Sequence, residues 1–121
     1  MELRPPPVYF EVRAANFVLL SPWFFFNSEE EPQMDNVREE YQVETGDDFL
    51  PFAYRGDRDD FAGFRIDQGQ ITGDVITVHI AWSRKREPSD FDTRKVSPSL
   101  IHWIRDVAMG DAVSKYEYNK R

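Results

Sequence analysis

The sequence predicts an α+β fold: a mostly antiparallel sheet of five to six strands, with one mid-chain helix and a C-terminal helix packed on it. Segments with a period of two and segments with a period of 3.6 follow one another in the order strands, helix, strands, helix. Short turns join successive strands, which favours antiparallel pairing. The clearest strand, residues 74–82, is rich in β-branched side chains that suit a pleated surface: Val75, Ile76, Val78 and Ile80.

The N-terminal segments are predicted to be extended. Three consecutive prolines favour polyproline II, so residues 1–7 should form a flexible arm ahead of a single domain over 8–110. Alternating apolar residues predict a first strand over 8–13. A second strand is predicted over 17–20, interrupted at Pro22 and resumed over 23–26, because proline cannot donate to a sheet.

The mid-chain helix is predicted from its caps and its period. Asn27 and Ser28 offer an N-cap, and Ser28 and Glu31 have capping-box spacing, which predicts a short helical turn before Pro32. A helix follows over 33–42, with Gly46 as an exit signal several residues later. The apolar face of this helix consists of Met34, Val37 and Tyr41.

The C-terminal half is predicted as a hairpin, a further strand and a helix. Strands over 49–55 and 60–66 flank the turn 56–59, and a longer turn over 67–73 leads to strand 74–82. Residues 83–95 are predicted to form a loop. Ser97 is the expected N-cap of the last helix, which should start with Pro98, end at Gly110 and leave a polar tail over 111–121. Its apolar face is Leu100, Ile101, Ile104, Val107 and Ala108.

The composition of the chain excludes several classes of functional site and of partner. The chain has no cysteine, which excludes a disulfide framework, a thiolate metal site and a cysteine nucleophile. Its longest apolar runs are far shorter than a membrane span, its first residues lack the pattern of a signal peptide, and its pI is about 4.8. We therefore expect a cytoplasmic protein, with no cofactor and with neither membrane nor nucleic acid as a partner.

Negative charge is concentrated between residues 28 and 60. Twelve acidic side chains and three arginines give this block a net charge of −9, whereas the whole chain carries −7. A concentrated negative field attracts basic proteins and repels nucleic acid. The block therefore predicts a basic protein partner.

Other clusters have alternative explanations. Asp57, Asp59 and Asp60 suit a hard cation and would support a ligand- or metal-binding enzyme, but the remaining ligands of a calcium loop are missing, and a solvated turn is the alternative. Carboxylates over 39–48 offer an acid/base pair or plain surface charge. His79 and His102 have no zinc spacing. The basic run 84–86 is either a solvated loop start or an internal partner for the acidic block.

Four consecutive aromatic residues, 23–26, pose a packing problem. Alternate side chains of a strand point to opposite faces, so these four rings cannot all enter one core. Either both faces of this strand are covered, or one face meets a partner. The second alternative makes the strand 23–26 a candidate homodimer contact.

Three segments resemble the SUKH superfamily, the Smi/Knr-type proteins. They are Phe17-Val18-Leu19-Leu20-Ser21, Phe26-Asn27-Ser28-Glu29-Glu30, and Phe49-Leu50-Pro51-Phe52-Ala53-Tyr54-Arg55-Gly56-Asp57. The similarity covers residues 17–108, and the Leu-Pro-Phe-Ala strand with its Gly-Asp turn is its most specific part. Members of the family usually begin with one or two helices, and the sequence predicts none there, which suggests an abbreviated or divergent N-terminus.

The resemblance implies an α+β domain without catalytic residues and, for bacterial members, an immunity role against a polymorphic toxin, often a nuclease. A regulatory or scaffold domain of the same fold is the alternative. Nuclease toxins are commonly basic, so acidic side chains would steer the encounter and buried aromatic anchors would supply affinity. The predicted binding residues are five acids, Asp47, Asp48, Asp57, Asp59 and Asp60, and two aromatic anchors, Tyr54 and Trp82.

Overall fold

The computed structural model describes residues 3–82 and 95–119, and these form one antiparallel five-stranded sheet with helices on both sides. The order of the strands in the sheet is their order in the chain, so each strand pairs with the next. The strands are β1 (Trp23–Phe25), β2 (Asp48–Arg55), β3 (Asp60–Asp67), β4 (Gln70–His79) and β5 (Lys95–Ser97). The helices are α1 (Pro7–Ala14), α2 (Glu31–Thr45), α3 (Leu100–Trp103) and α4 (Met109–Asn119). This arrangement confirms the predicted α+β fold.

Each face of the sheet has its own core. On one side, here called the α1 face, Phe52, Phe64 and Val75 pack against α1 and against the helical run that starts at Leu100. The opposite side, the α2 face, buries Phe49 and Ile76 beneath α2. The aromatic segment 23–26 contributes to both cores, because Trp23 belongs to the first and Phe26 to the second, whereas Phe24 is 40% exposed.

An irregularity in β2 lets consecutive residues enter the same core. The pairing of β2 with β3 shifts between Pro51 and Ala53, and both Phe52 and Ala53 pack on the α1 face. Opposite the shift, Gly63 has no room for a side chain, since a Cβ atom there would lie 2.5 Å from the carbonyl oxygen of Leu50. Close approach of the two backbones thus requires glycine in β3.

The N-terminal prediction was wrong, because residues 7–14 form α1 rather than a strand. Pro7 occupies the first helical position, where its missing N–H costs nothing. Val8, Tyr9 and Val12 lie on one side of the helix and pack on the core, as a period of 3.6 places them. Phe10, which a strand would place on the same face as Val8 and Val12, is exposed. Residues 17–20 are not a strand either, and Leu19 alone is buried among them.

The mid-chain helix is present as predicted, but it begins earlier and ends later. A single 3-10 turn, Ser28–Glu30, precedes α2 as expected, but Asn27 is the residue that caps it, with Glu30 as its capping-box partner. The helix continues to Thr45, so Gly46 lies directly at its exit in the left-handed conformation, with φ of 78°. Gly46 therefore ends α2 as its position suggested.

The last helix begins and ends later than predicted. Ser97 is part of β5, and the side chain of Ser99 accepts the backbone N–H of His102 as the N-cap. A π-helical turn, Ile104–Ala108, connects α3 to α4, which continues through Gly110 to Asn119. The predicted stop at Gly110 is therefore wrong. The basic run 84–86 lies outside the described residues.

Candidate functional site

Five aromatic rings form a row across the α2 face at the end of the sheet where β2 stops and β3 begins. Consecutive ring centroids lie 5.5, 4.9, 6.4 and 6.3 Å apart. We call this set the aromatic row; in order, it comprises Phe24, Tyr54, Phe26, Phe61 and Trp82. Of the three inner rings, Phe26 and Phe61 are buried and Tyr54 is half-buried, whereas the outer rings of Phe24 and Trp82 are 40% and 42% exposed. The row thus connects two exposed aromatic surfaces through the core.

A buried carboxylate fixes the Trp82 end of the row. Glu44 on α2 accepts the backbone N–H groups of Ala81 and Trp82 at 3.1 and 3.0 Å. These bonds hold Trp82 in the left-handed region, with φ of 58°, which is rare for a large side chain. Burial raises the pKa of Glu44, and a hydrogen bond with Glu40 raises it further. The end of β4 is therefore tied to α2 by a charge-assisted contact.

Trp82 lies beside a recess on the polar side of α2. The recess has a volume of about 370 Å³ and is lined by Gln33, Asn36, Glu39 and Glu40 in addition to Trp82. Trp82, one of the two aromatic anchors predicted from the sequence, is thus an exposed ring next to two carboxylates.

The other end of the row lies beside the acidic turn between β2 and β3. Phe24 stacks on Tyr54, and the backbone N–H of Gly56 donates to the carbonyl oxygen of Pro22 at 2.8 Å, which holds the turn against β1. Burial raises the pKa of Tyr54, and the neighbouring Glu30 raises it further through its charge and a hydrogen bond. Tyr54 therefore links the acidic start of α2 to the turn.

Ion pairs order the turn. The guanidinium of Arg55 donates two hydrogen bonds to Asp57, at 2.8 and 2.9 Å, and these bonds hold the pKa of Asp57 below its ordinary value. Asp60 is buried and accepts from Arg58 at 2.6 Å, with Nδ1 of His79 at 2.9 Å from its other oxygen. Asp59 stands exposed between these two pairs. The turn therefore has a fixed backbone and an exposed carboxylate, Asp59, that makes no ion pair within residues 3–82 and 95–119.

Asp47 and Asp48 lie at the opposite end of β2. Arg38 donates two hydrogen bonds of 2.8 Å to Asp48. Burial acts to raise the pKa of Asp48, but the bonds from Arg38 outweigh it and the pKa lies below its ordinary value. Asp47 is exposed next to this pair. The seven predicted binding residues are thus divided: two acids lie at one end of the sheet, and five residues lie along or beside the aromatic row.

Sequence reasoning did not include Phe24, Glu30 and Glu39 among the residues that bind the basic partner, although it named the strand 23–26 as a candidate homodimer contact. Strict alternation over residues 23–26 places Phe24 and Phe26 on one face, which was a usable signal for Phe24. Glu30, at the end of the 3-10 turn, and Glu39, on α2, join the surface only because this helical segment packs beside Tyr54 and Trp82. That placement depends on tertiary packing, which no local pattern encodes.

The three aspartates of the turn do not converge on a common point, because Asp57 and Asp60 face different arginines. Within residues 3–82 and 95–119, no three histidine or acidic side chains are placed to hold a metal ion together. His79 lies against Asp60, and His102 lies against the hydroxyl of Ser99 at 2.7 Å. In the same part of the chain, no helix is both long enough and apolar enough to cross a membrane.

No protein-family model, curated protein or solved structure matches this chain. The resemblance to the SUKH superfamily therefore depends on the quoted motifs, and the function has to be argued from the surface itself.

Proposed function

We propose that this protein is a non-enzymatic cytoplasmic domain that binds a basic protein partner through the acidic surface around the aromatic row. Its best-specified form is an immunity protein of the SUKH type that neutralises a toxin domain, often a nuclease. The observation that carries the proposal is the pairing of exposed aromatic rings, Phe24 and Trp82, with a block of net charge −9.

The chemistry of protein recognition supports this assignment. Aromatic side chains set in a polar rim are the usual anchors of protein interfaces, because they bury a large area at a small cost in side-chain entropy. Carboxylates around them accelerate the encounter with a cationic partner and disfavour anionic ones. A nuclease that grips phosphate would carry the complementary positive surface.

Internal ion pairs leave fewer acidic side chains available to a partner than the composition suggests. All three arginines of the block are paired with acids of the block: Arg38 with Asp48, Arg55 with Asp57 and Arg58 with Asp60. Exposed acids such as Glu29, Glu31 and Asp59 remain to supply the outward field. We therefore assign steering mainly to these residues, and assign the paired aspartates to holding the turn and α2 in position.

The test is coexpression with a toxin domain encoded by a neighbouring gene. Wild-type protein should restore growth of the host, form a complex with the toxin, and abolish its activity in a purified assay. The double variant D57K/D59K should lose most of the protection. Its matched control is D67K/D74K, which makes the same charge change and also breaks one ion pair, between Asp74 and Arg65, at the other end of β3.

The alternatives give different results in the same experiment. A complex that forms while the toxin stays fully active would favour a regulatory or scaffold domain. Toxins that neither bind nor lose activity would contradict the immunity role. Heat released on titration with calcium, magnesium, manganese or zinc would favour a ligand- or metal-binding enzyme centred on residues 57–60.

A further inference from the structure

Four large apolar side chains lie exposed within residues 17–24, a stretch that includes the first part of β1. Val18 is 77% exposed, Leu20 58%, Phe17 42% and Phe24 40%. Leu19, between them, is buried and anchors the stretch to the core. Isolated exposed apolar residues are ordinary, but a group of this kind marks an interaction surface.

Phe17, Val18 and Phe24 form walls of a groove of about 270 Å³ that extends to Tyr54 and Glu30. The groove is held in shape by its own contacts. The backbone N–H of Phe17 donates to the carbonyl oxygen of Val12 at 3.3 Å, and the ring of Phe24 stacks on Tyr54. A preformed groove loses little conformational entropy when it is filled.

The charges around the groove select its occupant. Glu29, Glu30 and Glu31 lie on one side, and the turn with Asp57 lies on another, beside the ring of Phe24. Among the lining residues that the structure describes, Arg13 is the cation, and its guanidinium is engaged with the ring of Phe25 and the carbonyl oxygen of Phe26. A second copy of this chain that docked through the same groove would bring its own acidic rim against this one, and the like charges would repel each other.

We propose that this groove receives a large apolar side chain of the basic partner, flanked in that partner by lysine or arginine. The inference rests on the proposed function and adds to it the anchor that the partner must supply. The apolar walls provide the affinity, and the acidic rim provides the selection for neighbouring cations. Phe17 and Val18 thereby join Phe24 as contact residues.

The experiment uses three dye-labelled seven-residue peptides at low salt. The first has phenylalanine at its centre, a glycine on each side, and lysine and arginine at both ends. The second replaces phenylalanine by serine, and the third replaces the four basic residues by glutamate. Fluorescence anisotropy should show the first peptide binding about tenfold tighter than the second, as burial of most of a phenylalanine side chain predicts.

Two variants locate the binding. V18K should reduce the tenfold preference for phenylalanine to less than about twofold, because it removes one groove wall and adds a cation. V113K makes the same substitution at a valine that is 55% exposed on α4, and should keep the preference.

Equal binding of the phenylalanine and serine peptides, or equal losses in V18K and V113K, would overturn the groove assignment and leave the acidic-surface function standing. Equal binding of the basic and glutamate peptides would instead contradict the proposed function. Sedimentation provides the remaining check: a wild-type dimer that V18K dissociates and V113K does not would assign the groove to a second copy and overturn the proposal.

Discussion

The two faces of the sheet are closed in different ways. On the α1 face, Trp23 and Trp103 meet edge to face at 5.2 Å, and each indole N–H is satisfied, by Asp111 and by Thr77. Both tryptophans are fully buried. On the α2 face, the helix that covers the sheet carries two buried glutamates, and the aromatic row emerges at both ends.

We expect this difference to separate stability from recognition. On the α1 face both buried indole N–H groups have internal partners, as expected of a structural core. The α2 face keeps aromatic rings and carboxylates together at the surface. This combination is typical of protein interfaces rather than of a core. Substitutions on the α1 face should therefore affect folding, and substitutions at the ends of the aromatic row should affect binding.

The largest expected effect is the loss of Trp103. Trp103→Ala removes a fully buried ring and leaves the hydroxyl of Thr77 without its indole donor, so the free energy of unfolding should fall by about 3–5 kcal/mol. Trp82→Ala, at a ring that is 42% exposed, should cost about 1 kcal/mol. Urea unfolding followed by circular dichroism measures both. Similar losses for the two tryptophans would remove the distinction between the faces.

The next effect concerns two glycines with opposite surroundings. Gly63→Ala should reduce stability by about 2–3 kcal/mol, because its Cβ would meet the Leu50 oxygen and the Phe49 ring, both at 2.5 Å. Gly110→Ala should increase stability by about 0.5–1 kcal/mol. The residue is helical, and an added Cβ atom would have no described atom within 4 Å apart from the neighbouring residues and backbone of its own helix. A destabilised Gly110→Ala protein would contradict the continuous helix through that position.

A smaller effect is the pH dependence due to Glu44. Its pKa is raised in the folded protein above the ordinary 4.5, so the folded state binds this proton more tightly than the unfolded state. The stability it contributes is complete below pH 4.5 and is lost as the pH rises from there through the folded pKa. The pKa values of Asp48 and Asp57 are lowered, so the stability that these residues contribute is present above pH 3.8 and is lost as the pH falls below it through the folded pKa.

Glu44→Gln should therefore unfold with a flatter dependence on pH above 4.5 than the wild type, by up to about 1.4 kcal/mol per pH unit. Unfolding in urea at a series of pH values measures the two slopes. Parallel curves for the wild type and Glu44→Gln would refute the role of Glu44.

The sequence predicted the central hairpin and the mid-chain helix because their signals are local. The turn over 56–59 sits between two runs of apolar residues, and Gly46 has the left-handed conformation that ends a helix. The N-terminal helix escaped prediction because Val8 to Arg13 is too short to distinguish a period of two from one of 3.6. Residues 95–97 join the sheet only through pairing with β4, which their own composition does not indicate.

The sequence indicated which chemical groups the candidate site contains but not how they are arranged. Charge and aromatic content indicated an acidic protein-binding surface, and Tyr54, Asp59 and Trp82 do lie along or beside the aromatic row. The pairing of Asp48 with Arg38, ten residues away, depends on how α2 packs beside β2. The sequence shows which side chains are charged, but which of them form ion pairs depends on the tertiary packing.

The most direct test of the account is the association rate of the basic partner with two single variants, measured by surface plasmon resonance at low and high salt. Asp59→Lys lies beside the aromatic row, and Asp67→Lys makes the same charge change at the far end of β3. At low salt, Asp59→Lys should associate about three- to tenfold more slowly than Asp67→Lys, and salt should shrink this difference to less than about twofold. Equal association rates at low salt would contradict the assignment of recognition to this end of the sheet.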